Sequence, residues 1–153
     1  MKKLLLLFTM MLLVVGNAFA AFPDPTDTDT KAVFDSIQNI RYTVEAKGNY
    51  NDYSEVVKTA TISFAKYKDK HPEPDADKNK EILQSLIEPY QDAKTAWSQM
   101  IANGVPVYAD DYGFVEKYGL QGEHFAGSNM VQGRYALDVM WDVASSREKY
   151  YAT

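Results

Sequence analysis

The chain has 153 residues, a formal net charge of −5 at neutral pH and no cysteine. Its length suits one domain with a single core, and the absence of cysteine excludes disulfides, covalently attached c-type haem and a lipid anchor on cysteine. The acidic excess argues against nucleic acid and anionic lipid surfaces, which are bound through Lys and Arg, and it favours a basic partner.

Residues 1–20 have the pattern of a secretory signal peptide. Two lysines are followed by an apolar run from Leu4 to Val15, and the small residue Ala20 predicts cleavage before Ala21 or Phe22. The run is shorter than the roughly 20 residues of a membrane span. We therefore expect an exported protein, periplasmic or secreted, with no membrane span in its mature form. Without the two leader lysines, 14 basic side chains face 21 acidic ones, giving a net charge of −7.

The segment 21–30 is rich in Pro, Thr and Asp, which predicts an extended N-terminal segment before a helical domain at 31–153. Asp29 or Thr30 can cap a first helix, and Gly48 supplies its stop. The apolar residues that recur on one face of this helix are Val33, Ile37, Ile40 and Val44.

A second helix is predicted to begin near Asp52 and Glu55, whose spacing resembles a capping box, and to end before His71. An alternative stays open, because residues 56–64 come close to alternating apolar and polar side chains and are rich in β-branched types, as in a strand. The helical stripe consists of Tyr53, Val57, Ala60, Phe64 and Tyr67.

The longest predicted helix runs from Lys78 to Asn103 and keeps one apolar face over its whole length. Pro89 lies in its middle, where it removes a backbone donor and leaves the carbonyl of Ser85 without its helical partner. A bend is expected there. Gly104 then ends the helix.

A final helix is predicted to follow a capping pair at Asn129 and Gln132 and to end near Tyr151. It carries Asp138 and Asp142 one turn apart, facing either water or the interior. Four amphipathic helices without a strong strand signal predict an all-α, single-domain four-helix bundle, with a long aromatic and acidic excursion between helices three and four.

That excursion spans Gly104 to Gly127, where the helical period is lost. Bundle connections usually have about two to eight residues, so this one is expected to fold, with a short helix at 111–118. Its rings either plug one end of the bundle or form a recognition surface, because aromatic residues on loops are enriched at interfaces. We name as the predicted partner surface Tyr108, Asp110, Asp111, Tyr112, Phe114, Glu116, Tyr118, Glu123 and His124.

No metal site is predicted. Asp75, Asp77 and Asn79 imitate the start of an EF-hand loop. Lys80 and Leu86 stand where that loop needs Gly and Glu, so the motif fails. Carboxylates beside the histidine of the excursion could gather around a divalent ion, but none has the helical i, i+4 spacing of a metal-ligand pair.

No cofactor or catalytic residue is predicted either. His71 and His124 lie in connections rather than on a core face, which disfavours axial ligation of haem. The chain has no thiol nucleophile, nucleophile elbow or glycine-rich phosphate loop. The carboxylate pair Glu116 and Glu123 would suit glycan hydrolysis only if the fold brought the two to about 5–9 Å.

These observations predict an exported, non-catalytic binding protein of the bacterial envelope with a basic protein as its partner. The most concrete form is an inhibitor or immunity protein that occludes a cationic wall-degrading enzyme, because acidic steering speeds capture and aromatic anchors slow release. Two alternatives stay open: a bundle that binds a small ligand, as sensors or carriers do, and a carboxylate-dependent enzyme acting on glycans. The oligomeric state is left open.

Overall fold

A computed structural model describes residues 22, 27–74, 77–109, 113–119 and 135–152. In these ranges the chain forms helices and no strand, which confirms the predicted all-α class. The helices are α1 (Thr28–Glu45), α2 (Tyr50–Lys70), α3 (Asp77–Asn103), the short α4 (Phe114–Lys117) and α5 (Ala136–Ala152). Among them none is both long and apolar enough to cross a membrane. The predicted leader lies outside the described residues.

The four long helices pack in a way that is consistent with a bundle. The packed pairs are α1 with α2, α3 with α5, α2 with α3, and α1 with α3. The buried apolar side chains, which form the core between these helices, come from all four. They include Val33, Ile37 and Ile40 of α1, Tyr53, Val57 and Phe64 of α2, Leu83, Leu86, Ile87 and Tyr90 of α3, and Val139, Met140 and Val143 of α5.

The first helix begins earlier than the sequence predicts. Asp27, rather than Asp29 or Thr30, is its cap, and its carboxylate accepts hydrogen bonds from the backbone N–H groups of Asp29 and Thr30 at 3.1 and 3.0 Å. These are two of the amides that a helix start leaves without a partner. The Thr30 hydroxyl also donates to Asp27 and lies 3.2 Å from the Tyr67 hydroxyl, which connects the start of α1 to the end of α2.

The start of α2 is likewise shifted, and its strand alternative is wrong. Asn49 is the cap, and it forms a reciprocal capping box with Asp52. The predicted pair Asp52 and Glu55 therefore lies one turn inside the helix. Residues 56–64 are helical throughout. Their β-branched side chains do not prevent this, because a capped start and an apolar stripe at helical spacing outweigh β-propensity.

The break in hydrogen bonding that Pro89 causes in α3 is repaired by another helix. The helix continues through Pro89, and the freed carbonyl of Ser85 accepts a hydrogen bond from Nη1 of Arg147 at 2.7 Å. A buried carbonyl left without a partner costs about 1–3 kcal/mol. Arg147 thus joins α5 to α3 at the one turn where the backbone ladder of α3 is incomplete.

The last helix begins at Ala136, so the predicted cap at Asn129 and Gln132 lies outside the described residues. Neither carboxylate of the predicted pair, Asp138 and Asp142, belongs to its core face. Asp138 is exposed and Asp142 is half-buried. The buried apolar positions of α5 are Ala136, Val139, Met140, Val143 and Ala144.

The acidic cleft and the predicted partner surface

The structure describes part of the predicted partner surface. Asp110, Asp111, Tyr112, Glu123 and His124 lie outside the described residues. The members that the structure describes are Tyr108, Phe114, Glu116 and Tyr118, and they fall into two groups. Two of the aromatic rings point inward, whereas the third ring and the carboxylate are exposed.

The inward pair holds the short helix α4 against α3. Phe114 is 6% exposed and belongs to the core. Tyr118 is half-buried, and its hydroxyl donates to Oδ2 of Asp92 at 2.6 Å. Burial, helped by that carboxylate, raises the pKa of Tyr118. Lys117 adds ion pairs to Asp92 at 2.7 Å and to Glu88 at 3.0 Å. These contacts hold α4 beside the middle of α3, on either side of Pro89.

The outward group centres on a pair of stacked rings. Tyr108 and Tyr135 are 38% and 50% exposed, and their ring centroids lie 5.6 Å apart at an interplanar angle of 20°. A β-bridge pairs their backbones, and the N–H of Ala136 donates to the carbonyl of Val107 at 2.8 Å. Glu116 is exposed on α4. Tyr135 is not part of the predicted partner surface, because a helix that follows a cap at Asn129 would include it, whereas the helix begins at Ala136.

A cleft of about 330 Å³ lies between α1, α3 and α5. Three carboxylates, one guanidinium and two aromatic rings contribute to its lining, so it is both acidic and aromatic. The lining residues are Arg41, Val44 and Glu45 of α1, Tyr90 of α3, and Asp138, Trp141, Asp142 and Ser145 of α5.

A buried carboxylate contacts two of the residues that line this cleft. Glu148 is 1% exposed, and the Tyr90 hydroxyl donates to its Oε1 at 2.5 Å. Its Oε2 lies 3.6 Å from Nη1 of Arg41 and has no hydrogen-bond partner among the described residues. Burial raises the pKa of Glu148, although the hydrogen bond from Tyr90 and the charge of Arg41 oppose that shift. Both neighbours of the carboxylate line the cleft.

The aromatic wall is fixed by its own hydrogen bonds. The Tyr53 hydroxyl donates to the backbone carbonyl of Tyr90 at 2.9 Å and accepts from Nε1 of Trp141 at 3.3 Å. Trp97 packs edge-on against Trp141, with centroids 5.9 Å apart. Burial raises the pKa of both Tyr53 and Tyr90, so both hydroxyls stay protonated donors at neutral pH. The lining is therefore preorganised.

The guanidinium in the cleft lies at ion-pair distance from two acidic neighbours, but its buried Nε has no hydrogen-bond partner among the described residues. Nε of Arg41 lies 3.7 Å from Oε1 of Glu45, and Nη1 lies 3.6 Å from Glu148. Burial disfavours the charged form, but the Glu148 carboxylate and its other neighbours outweigh burial and raise the pKa of Arg41. The other two carboxylates of the lining are those of Asp138 and Asp142.

Sequence reasoning missed Glu148 and Arg41, although each has a signal. Glu148 falls four residues after buried Ala144, and Arg41 directly follows buried Ile40 on the edge of the α1 stripe. A charged side chain at a core position is rarely buried without a partner, so it is informative.

Comparisons with protein-family models, with curated proteins and with solved structures found no match. In the part of the chain that the structure describes, no group of three or more acidic or histidine side chains is arranged to hold a metal ion. Two features of the described residues therefore bear on function, the stacked tyrosines and the acidic cleft.

Proposed function

We propose that this chain is an exported, non-catalytic binding protein of the bacterial envelope whose partner is a basic protein. The observation that supports this most directly is the exposed stack of Tyr108 and Tyr135. Two rings fixed by a backbone bridge lose little conformational freedom on binding, and tyrosines are enriched among the residues that dominate interface energies. The contact surface is this stack together with the predicted surface residues that do not pack inward, which leaves out Phe114 and Tyr118.

The negative net charge of the chain supports the proposal that its partner is basic. The form without its leader carries 14 basic and 21 acidic side chains. Such an excess steers a cationic protein toward the surface and raises the association rate, an effect that salt weakens. The most concrete version is an inhibitor or immunity protein that occludes a cationic wall-degrading enzyme, with the aromatic stack slowing release.

The proposal is tested by titrating the protein with a basic muramidase in a calorimeter and by following wall lysis in parallel. We expect saturable binding that inhibits lysis. Replacing both rings, as Tyr108→Ala with Tyr135→Ala, should weaken binding about 30-fold, the loss of a typical interface hot spot. The matched control is Tyr150→Ala, since Tyr150 is 75% exposed elsewhere on α5. Unchanged affinity in the double variant contradicts the surface assignment, and no binding by the parent protein contradicts the inhibitor version.

Export is tested separately. The chain is expressed with its own leader in a bacterium, and the protein in the periplasm and medium is sequenced from its N-terminus. We expect mature protein that begins at Ala21 or Phe22. Full-length protein retained in the cytoplasm would contradict export without bearing on the binding surface.

A further inference from the structure

We propose that a groove between α2 and α3 is a binding site for an uncharged carbohydrate. The groove has a volume of about 530 Å³, within the usual range of small-ligand sites. Its α3 wall extends from Gln91 to Gln99, which is about 12 Å along a helix and suits a disaccharide. The groove shares no lining residue with the acidic cleft, and the inference does not depend on the proposed partner protein.

Most polar groups of the groove are uncharged and can both donate and accept hydrogen bonds. A side-chain amide has an N–H₂ donor and a carbonyl acceptor, and a hydroxyl group has one donor and two lone pairs. Sugar hydroxyls have the same dual capacity, so either kind of group can pair with them. These groups are the amides of Gln91 and Gln99 and the hydroxyls of Thr61, Thr95 and Ser98.

The charges of the groove disfavour an ionic ligand. None of its described lining residues is acidic, and Lys94 is the one charged side chain among them. A cationic ligand would therefore meet a like charge and no carboxylate. An anionic ligand would be repelled by the net negative charge of the whole chain. An uncharged sugar avoids both costs, and its oxygens can accept hydrogen bonds from the Lys94 ammonium.

A buried acceptor without a partner belongs to the lining itself. Gln99 lines the groove, and its Oε1 is buried with no hydrogen-bond partner among the described residues. An acceptor in this state costs about 1–3 kcal/mol. The terminal torsion of a glutamine side chain is broad, so the amide can turn toward a ligand without leaving its rotamer. A sugar hydroxyl in the groove would supply the missing donor.

Other parts of the wall are held in place by hydrogen bonds between the two helices. Nε2 of Gln91 donates to Oγ1 of Thr61 at 3.0 Å, and the Thr61 hydroxyl donates to the backbone carbonyl of Val57 at 2.8 Å. These bonds connect α3 to α2 and fix both side chains. Groups that are fixed in advance lose less conformational freedom when a ligand binds.

One aromatic ring completes the groove. Tyr50 is half-buried in its lining, and its ring makes a T-shaped contact with Trp97, with centroids 5.7 Å apart. Aromatic side chains contribute a large apolar contact surface, and the C–H face of a sugar ring is apolar. An open-chain polyol has similar hydroxyl groups but no such face. The groove should therefore distinguish a cyclic sugar from a linear polyol.

The test is an NMR titration of the full mature protein with cellobiose and, separately, with N,N′-diacetylchitobiose. The side-chain amide signals of Gln91 and Gln99 are followed, each assigned by its loss in the corresponding Gln→Met variant. We expect saturable shifts with at least one disaccharide and none with mannitol, and the tighter disaccharide shows whether acetamido groups contribute. No saturable binding of either disaccharide, an equal response to mannitol, or tighter binding of a capped trialanine peptide would overturn the proposal.

A pair of substitutions on α3 separates the groove from the rest of that helix. Gln99→Met removes the amide at nearly constant length and should weaken disaccharide binding about tenfold, as followed by the Gln91 signals. Gln84→Met makes the same change at an exposed position of α3 outside the groove and should leave binding unchanged. Equal losses in both variants would overturn the proposal.

A second pair tests the aromatic ring. Tyr50→Ala should also weaken disaccharide binding about tenfold, whereas Tyr42→Ala, at an exposed position of α1, should not change it. Equal affinities in the two variants would contradict the role of the ring. Should Tyr50→Ala fail to fold, the glutamine pair still decides the outcome. The Tyr108→Ala and Tyr135→Ala variant should bind the disaccharide like the parent, so failure of the groove and failure of the partner surface are distinguishable.

Discussion

Two clusters in the bundle pair carboxylates with basic side chains, one in the interior and one at the surface. In the interior, Glu148 lies beside Arg41 and is 1% exposed. At the surface, Asp29 of α1 lies 2.6 Å from Nζ of Lys70 and 3.1 Å from Nε2 of His71, and its side chain is 34% exposed. The two clusters use the same chemistry in opposite environments.

The two environments shift the pKa values of the two carboxyl groups in opposite directions. Hydrogen bonds from Lys70 and His71 favour the ionised form of Asp29 and lower its pKa, because the opposing cost of burial is smaller at this exposed position. Burial raises the pKa of Glu148 despite a hydrogen bond from Tyr90 and the nearby charge of Arg41. Comparison of the two clusters indicates that desolvation, more than the presence of a basic partner, decides whether the pKa of a carboxyl group rises or falls in this bundle.

The largest expected effect is loss of the buried carboxylate. Glu148→Ala leaves the guanidinium of Arg41 without its interior partner and the Tyr90 hydroxyl without its acceptor, and we expect a loss of about 3–5 kcal/mol in the free energy of unfolding. Urea denaturation at pH 7 measures it. Asp29→Ala, which removes the surface carboxylate, is the matched control and should cost far less. Equal losses would contradict the contrast between the clusters.

Features that depend on residues close together in the sequence could be predicted. Features that depend on contacts between residues distant in the sequence could not. The apolar stripes of α1, α2 and α3 predict the helices, because helical spacing and local capping are encoded within a few residues. The exact starts of α1 and α2 are predicted less accurately. Asp27, Asp29 and Thr30 are all residue types that can cap α1, and the cap of α2, Asn49, precedes the predicted Asp52 by one turn.

The cleft could not be predicted in the same way. The positions of Arg41, Tyr90 and Glu148 come from three helices that are distant in sequence, so no local pattern relates them. The sequence does predict that Pro89 frees a carbonyl, but it does not show which side chain would reach that carbonyl. Stacking of the tyrosines in the excursion likewise depends on a backbone bridge between separated segments.

An intermediate effect is expected at the half-buried hydrogen bond between Arg147 and Ser85. Arg147→Met should lower the free energy of unfolding by about 1–3 kcal/mol, because the carbonyl freed by Pro89 loses its donor. In a Pro89→Ala background the helix supplies its own N–H, so the same substitution should cost about 1 kcal/mol less. Contacts of Arg147 with Tyr118 are common to both backgrounds and cancel in the cycle. An identical cost in both backgrounds would show that the Ser85 carbonyl does not depend on Arg147.

The smallest expected effect lies in the surface cluster and depends on pH. Hydrogen bonding to Asp29, opposed by desolvation and aided by Glu73, raises the pKa of His71. Stability from the protonated ring is fully present below its ordinary pKa of about 6.5 and is lost as pH rises through the raised value. His71→Gln should therefore slightly lower the melting temperature at pH 5.5 and leave it unchanged at pH 9. A larger loss at pH 9 would reverse the sign of this contribution.

A linkage of the same sign, around the ordinary pKa of a carboxyl group rather than that of histidine, is expected for the buried cluster. Because the pKa of Glu148 is raised above its ordinary value of 4.5, its contribution is most favourable below that value and declines as pH rises through the folded pKa. Glu148→Gln should flatten this decline, which urea denaturation between pH 4 and pH 8 would record. The same slope in the parent and the variant would show that the carboxylate does not titrate in the folded state as proposed.

The most direct test of the contrast between the two clusters is an NMR titration of the Glu148 side-chain carboxyl carbon, assigned by its disappearance in Glu148→Gln. We expect a pKa above the ordinary value of 4.5, because burial outweighs the hydrogen bond from Tyr90 and the charge of Arg41. A pKa at or below 4.5 would show that the basic neighbour, rather than desolvation, decides the protonation of this carboxylate.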